Sequence, residues 1–165
     1  MCATGERIVG STELLKALTG HTRIGLDTAP IIYYFEENPH FFPLMQVLVA
    51  YAEANAECHL ITSPLTLAEV FTYPIRQNRQ ELVEIYKSAL LESETITVHL
   101  MALSDYVRAA ELRAKYNIKT PDALQITGCL SAGCDLFVTN DTQLRRVTEI
   151  EVLVLADFLD EPPKK

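Results

Sequence analysis

Apolar positions recur along the chain in two different periods. Five short runs are apolar nearly throughout: RIGLD (23 to 27), CHLIT (58 to 62), TITVHL (95 to 100), DLFVT (135 to 139) and EVLVL (151 to 155). Runs of this length, rich in β-branched and large aliphatic residues, are expected for strands covered on both faces. Between them lie segments in which apolar residues return every three or four positions: STELLKALTG (11 to 20), APIIYYFEEN (29 to 38), FPLMQVLVAYAEANA (42 to 56), LTLAEVF (65 to 71), a stretch near 79 to 91, SDYVRAAELRAKY (104 to 116) and DALQITGCLSA (122 to 132). These read as helices. Ser63-Pro64 and Thr120-Pro121 supply helix starts, with proline in the first turn, and Ser104 is placed to cap a third. Short strands alternating with helices predict right-handed crossovers and a parallel sheet with helices on both faces, an α/β fold.

The organisation is that of one domain over 23 to 157, preceded by an extension at 1 to 22 and followed by a loose tail at 158 to 165. A chain of 165 residues with 48% hydrophobic content buries roughly 70% of its unfolded surface and needs no staple. Cys2, Cys58, Cys129 and Cys134 show no C-x-x-C spacing, and His21, His40, His59 and His99 stand singly, which argues against a zinc cage and for reduced, mostly buried thiols in a cytoplasmic protein. The longest apolar stretch, FFPLMQVLVAYA, contains Pro43 and Gln46 and falls short of the roughly 20 residues that span a bilayer. A soluble protein without a membrane partner is expected.

A net charge of −8 excludes a broad basic surface for holding nucleic acid, so any polyanion must be gripped locally. Most of the acids are a solvated surface. Four are placed differently. Asp27 ends the first strand, Asp141 follows the fourth, Asp122 lies in the first turn of the helix leading to that strand, and Glu69 sits on the helix after the second, flanked by Leu65, Thr66, Thr72 and Tyr73. Each has an ordinary reading. Asp27 and Asp141 cap the helices that follow, Asp122 complements a helix dipole, and Glu69 is a surface residue. Taken together, the crossovers bring all four towards the carboxyl edge of the sheet, where open parallel sheets form their sites. Carboxylates gathered there repel unless a cation neutralises them, and oxygen donors without His or Cys suit Mg2+ or Mn2+.

The stretches GLDTAPIIYYF, SPLTLAEVF, AAELRAKYNIKTPDALQITGCLSAGCDLFVTNDTQLRRV and EVLVL resemble the four acidic motifs of the PIN domain family, over about residues 22 to 157. In size and layout the chain is most similar to VapC-type toxins. The resemblance implies a three-layer α/β/α fold with a central parallel sheet, and places metal-binding, catalytic acids at Asp27, Glu69, Asp122 and Asp141. Thr28, Ser63, Thr66, Thr139 and Asn140 match polar positions that support such a site. The implied activity is metal-dependent endoribonuclease chemistry with Mg2+ or Mn2+, in the toxin of a type II toxin–antitoxin pair. The implied partners are an RNA substrate, an antitoxin and a second copy in a homodimer. Arg76, Arg79, Lys119, Arg145 and Arg146 are candidates for local contacts to RNA.

Other chemistries lack their residues. A phosphoacceptor receiver needs an acidic pair after its first strand, and Asp27 stands without one; a HAD-type phosphatase needs D-x-D, where Ala29 occupies the second position. No G-x-G-x-x-G, P-loop or G-x-S-x-G occurs. The remaining alternative is a catalytically inactive PIN-like module that binds RNA or protein.

Overall fold

The computed structural model describes residues 8–159. The tail DEPPKK and residues 1 to 7, with Cys2, lie outside the described residues.

Five parallel strands form one sheet: β1 (Arg23–Leu26), β2 (His59–Thr62), β3 (Ile96–Val98), β4 (Leu136–Thr139) and β5 (Glu151–Val154), in the order β3-β2-β1-β4-β5. Among the described residues, α1 (Ile8–Leu18) precedes the sheet and six helices connect its strands: α2 (Thr28–Phe35), α3 (Phe42–Ala54), α4 (Pro64–Arg76), α5 (Gln80–Leu91), α6 (Leu103–Tyr116) and α7 (Thr120–Ser131), with 3-10 turns at Thr142–Arg146 and Leu155–Phe158. No helix among the described residues is long and apolar enough to cross a membrane.

The strand runs are apolar throughout because successive side chains serve two cores. Ile24, Leu26, Leu60, Leu136 and Val138 join Leu14, Leu18, Met45, Leu48 and Tyr86 in one core. Ile61 and Phe137, the intervening positions, join Ala109, Leu112, Ala123, Ile126 and Cys129 of α6 and α7 in the other. Gly25 belongs to the second face, where a side chain would not fit: a Cβ there would lie 2.6 Å from Cys129 Sγ and 3.0 Å from Phe137. A Cβ on Gly128 would come within 3.0 Å of Ser63 Cβ. These two glycines let α7 lie close against β1 and the start of α4.

The differences from expectation are local. α6 begins one residue before Ser104, and its cap is made by Asp105, whose Oδ2 accepts the Ala102 N–H at 2.8 Å; a buried carboxylate takes the place of the serine. α4 runs past LTLAEVF to Arg76, with Pro74 inside it. The polar residues after β4 open a 3-10 turn rather than a full helix. α1 starts earlier than STELLKALTG, and its Leu14 and Leu18 are wholly buried against α3 and the sheet, so residues 8 to 18 are part of the folded unit. Cys58, Cys129 and Cys134 are free and buried.

Candidate active site

The strand order reverses between β1 and β4, and that crevice is where an open parallel sheet collects a site. β1 runs into Asp27, whose N–H still pairs with Val138 O at 2.9 Å, so its side chain is held at the seam of the two strands. Oδ1 caps α2 by accepting the Thr28 N–H at 2.8 Å, and Oδ2 accepts the Thr139 hydroxyl at 2.6 Å. Thr139, wholly buried, in turn accepts the Asp141 N–H at 3.0 Å. Asp141 Oδ1 accepts the Gln143 N–H at 2.8 Å and caps the 3-10 turn, and its second oxygen has no hydrogen-bond donor among the described residues. The capping roles read from the sequence are therefore real for both residues, and they orient the carboxylates rather than consume them.

Asp122, in the first turn of α7, lies near Lys119, the N-cap residue, whose backbone N–H and charge both favour the ionised carboxylate. Glu69 is exposed on α4, and its neighbours Thr72 and Tyr73 are exposed too, so the packing expected around it is present on one side only, at buried Thr66. Its carboxylate is not adrift, since it accepts a hydrogen bond from the Thr28 hydroxyl. An open cleft of about 600 Å3 has Asp27, Thr28, Ala29 and Ile32 along one wall and Ala68, Glu69 and Thr72 along the other.

The acids act on one another. Burial pushes the Asp27 carboxyl above its ordinary value, the bonds from Thr139 and Thr28 oppose that, and the charges of Asp122 and Glu69 push it further up. Asp122 is likewise raised, by burial and then by Asp141, while Lys119 offsets part of the effect. Each of the four carboxylates thus lies in the field of at least one other.

Among the described residues, no three His, Cys, Asp or Glu side chains come close enough to enclose a metal ion by themselves. The donor chemistry fits a hard divalent cation all the same. Mg2+ binds through one or two carboxylates and keeps several waters, so it does not require a closed protein cage.

The supporting residues divide into two groups. Thr28, Ser63 and Thr66 are buried in a hydrogen-bonded set with Thr62 and Gln125. Thr62 and Gln125 were not singled out from the sequence; Gln125, one turn after Asp122 in an otherwise apolar helix, carried a readable signal, whereas Thr62 passes for a strand residue. Asn140 is half-buried and ties the sheet edge together, donating to Tyr33 OH at 3.3 Å and accepting the Ala156 N–H at 3.1 Å.

Of the five cations, Lys119 acts directly on one of the acids. Arg76 is exposed at the end of α4. Arg79 lines a separate cleft with Glu36, Glu37 and Glu81. Arg145 is paired with Asp157, and Arg146 binds Gln143 O and Oε1 at 2.8 Å each and Tyr116 O at 3.2 Å, so its guanidinium pins the 3-10 turn to the end of α6.

The family model of the PIN domain matches residues 24–150. The chain belongs to the PIN domain family. PIN domains are generally nucleases, and the match spans Asp27, Glu69, Asp122 and Asp141 together. Among solved structures, a chain of VapBC2 from Rickettsia felis bound to a DNA fragment from their promoter superposes with a TM-score of 0.59 at 14% identity, over 79% of this chain and 97% of that one. A chain of a toxin–antitoxin complex from Klebsiella pneumoniae gives 0.58 at 18% identity, over 81% and 98%. At these identities the likeness is one of fold, a parallel sheet between helical layers. No curated protein matches the chain.

Proposed function

We propose that this PIN domain is a metal-dependent endoribonuclease and the toxin of a type II toxin–antitoxin pair, with Asp27, Glu69, Asp122 and Asp141 holding Mg2+ or Mn2+. The observation that carries the reading is the gathering of acids where the strand order reverses: Asp27 is held at the seam of β1 and β4 with Glu69 across the cleft from it, and Asp122 and Asp141 lie near enough to act on their neighbours. A fold selected for stability alone gains nothing from gathering those charges at a sheet edge. When bound, a divalent cation supplies Lewis-acid activation of water and stabilises charge on the phosphate. The protein's part is positional. Thr139 and the Thr28 N–H fix the rotamer of Asp27, Thr28 holds Glu69, and Lys119 lies beside Asp122. Lys119, exposed beside Asp122, is placed to meet a phosphate of the RNA backbone.

Two further points bear on the toxin role. The two solved structures named above are toxin–antitoxin assemblies, and the acidic cleft offers an antitoxin a site for a cationic side chain, preferably the planar fork of Arg. Purified protein is expected to cleave single-stranded RNA in Mg2+ or Mn2+, leaving 5′-phosphate and 3′-hydroxyl ends, and to stop in EDTA. Cleavage that survives EDTA, or that survives Asp141→Asn, overturns the assignment. A protein that neither cleaves RNA nor binds Mn2+ is the inactive binding module instead. Overexpression without a growth defect, and purification without a small companion chain, removes the toxin role and leaves the nuclease.

A further inference from the structure

Gln125 is 1% exposed on α7, one turn beyond Asp122, and reaches groups from both α2 and α4. Its Nε2 donates to Thr28 Oγ1 and to Thr66 Oγ1, each at 2.8 Å, and its Oε1 accepts from Ser63 Oγ at 2.7 Å. Each hydroxyl has one proton to give, so the direction of every bond in the set follows. Thr62 donates to Leu26 O at 3.0 Å, which makes Thr66 the donor in its 2.7 Å pair with Thr62. Thr66 then has no proton left for Thr28, 3.1 Å away. Both hydroxyls accept from Gln125, one N–H each, and Thr28 is free to aim its own proton at Glu69.

The amide orientation is fixed by the same count. Ser63 Oγ accepts the Leu65 N–H at 3.3 Å and has its proton to donate, which only the carbonyl oxygen of Gln125 can take. A flipped amide would set N–H groups against Ser63 and a carbonyl against Thr28 and Thr66, drawing the Thr28 proton away from Glu69.

We infer that Gln125 is a positioning residue: by donating to Thr28 it polarises that hydroxyl towards Glu69 and holds an exposed carboxylate at the edge of the acidic cleft. The inference rests on the metal-site reading for its consequence, since a held Glu69 matters because a cation binds there. It differs from a packing role in what it predicts. Side-chain amides that act behind a ligand tune affinity by about 10-fold to 100-fold. A purely structural glutamine affects stability and leaves the affinity of the folded protein unchanged.

The test compares the parent with Gln125→Met, which keeps length and volume without the bonds, and with Ile126→Val, a core change on the next residue of α7. Mn2+ affinity is measured by electron paramagnetic resonance well below the melting temperature, and the metal-free proteins are crystallised. Both variants are expected to melt lower. Gln125→Met is expected to bind Mn2+ about 10-fold more weakly, with the Glu69 side chain detached from Thr28, while Ile126→Val binds as the parent does. Parental Mn2+ affinity in Gln125→Met, with Glu69 still on Thr28, overturns the inference. Should the parent bind no Mn2+, the metal reading falls, and the crystal structures still decide whether Gln125 holds Glu69. If Gln125→Met does not fold, Gln125→Leu makes the same prediction.

Discussion

At the carboxyl end of the sheet, Thr28, Thr62, Ser63, Thr66, Gln125 and Thr139 are buried and tied by hydrogen bonds to one another or to Asp27 and Glu69. At the amino end the polar groups stay near water: Arg23, His59 and Asp135 are exposed, and His21 pairs with Asp135 at 3.2 Å and with Glu151 at 3.8 Å. The same five strands emerge from one environment and run into the other. Burying polar groups costs stability unless each is satisfied, and gathering carboxylates costs more. The amino end leaves its polar groups to water, and the carboxyl end carries a burden that a bound cation would relieve. Substitutions at the two ends should therefore behave in opposite ways.

The sharpest break is at Asp122. Asp122→Asn keeps the shape while removing a charge that Asp141 and Glu69 oppose. RNA cleavage in Mn2+ is expected to fall about 100-fold or more, since changes behind the ligands alone reach that size. The metal-free melting temperature should stay level or rise. Asp27→Asn should lose as much activity yet melt slightly lower, because the single amide oxygen of asparagine cannot accept from both the Thr28 N–H and the Thr139 hydroxyl, as the two oxygens of Asp27 do. Parental cleavage rates together with lower melting in both variants would make these residues helix caps and nothing more.

Metal should act in the opposite sense to mutation. At about 100 times its dissociation constant a bound cation adds roughly 2.7 kcal/mol, which for a domain of this size is a rise of roughly 5–10 °C in Tm. Differential scanning calorimetry with and without Mn2+ measures it. The shift should be mostly lost in Asp122→Asn. An equal shift in that variant would place the cation elsewhere.

A smaller and graded effect is expected from pH in the metal-free protein. Asp27 and Asp122 both stand above the ordinary carboxylate value of 3.8, through burial first and then neighbouring charge. An acid whose folded pKa exceeds its unfolded value keeps its proton in the folded protein where the unfolded chain has released it. Stability is then greatest below the unfolded value and declines as pH rises to the raised folded value. From these two residues the metal-free protein should lose stability as pH rises from about 4, and Asp122→Asn should flatten part of that slope. Urea melts at several pH values check the sign, and an unchanged slope in the variant would count against Asp122 as its source.

Much of this was legible because the strands and the four acids announce themselves locally. A run such as LFVT must be covered on both faces, and an Asp directly after such a run stands at the sheet edge whatever the rest of the chain does. The supporting network was legible only in part, since Gln125 takes its meaning from Thr28 and Ser63, far away in sequence. Ser104 looked like a cap because serine is a good one, and Asp105 outcompeted it by reaching back to the Ala102 N–H. Arg145 and Arg146 stand out in the sequence as charge, whereas their partners do not: Asp157 and the carbonyls of Gln143 and Tyr116 bond them while both stay exposed.

The smallest effect is expected at the amino end, and it completes the contrast. Asp135 is 47% exposed in its pair with His21. A polar contact so open to solvent is weak, and holding it costs side-chain entropy, so Asp135→Asn should change stability by no more than about 0.5 kcal/mol. The Asp135 N–H bond to Arg23 O at 3.0 Å belongs to the backbone and survives the substitution, so the register of β4 against β1 is kept and Asp27 and Asp141 stay where they are. RNA cleavage and Mn2+ affinity should match the parent. A large loss of either from Asp135→Asn would mean that the two ends of the sheet are coupled, and the division between a structural end and a chemical end would have to be given up.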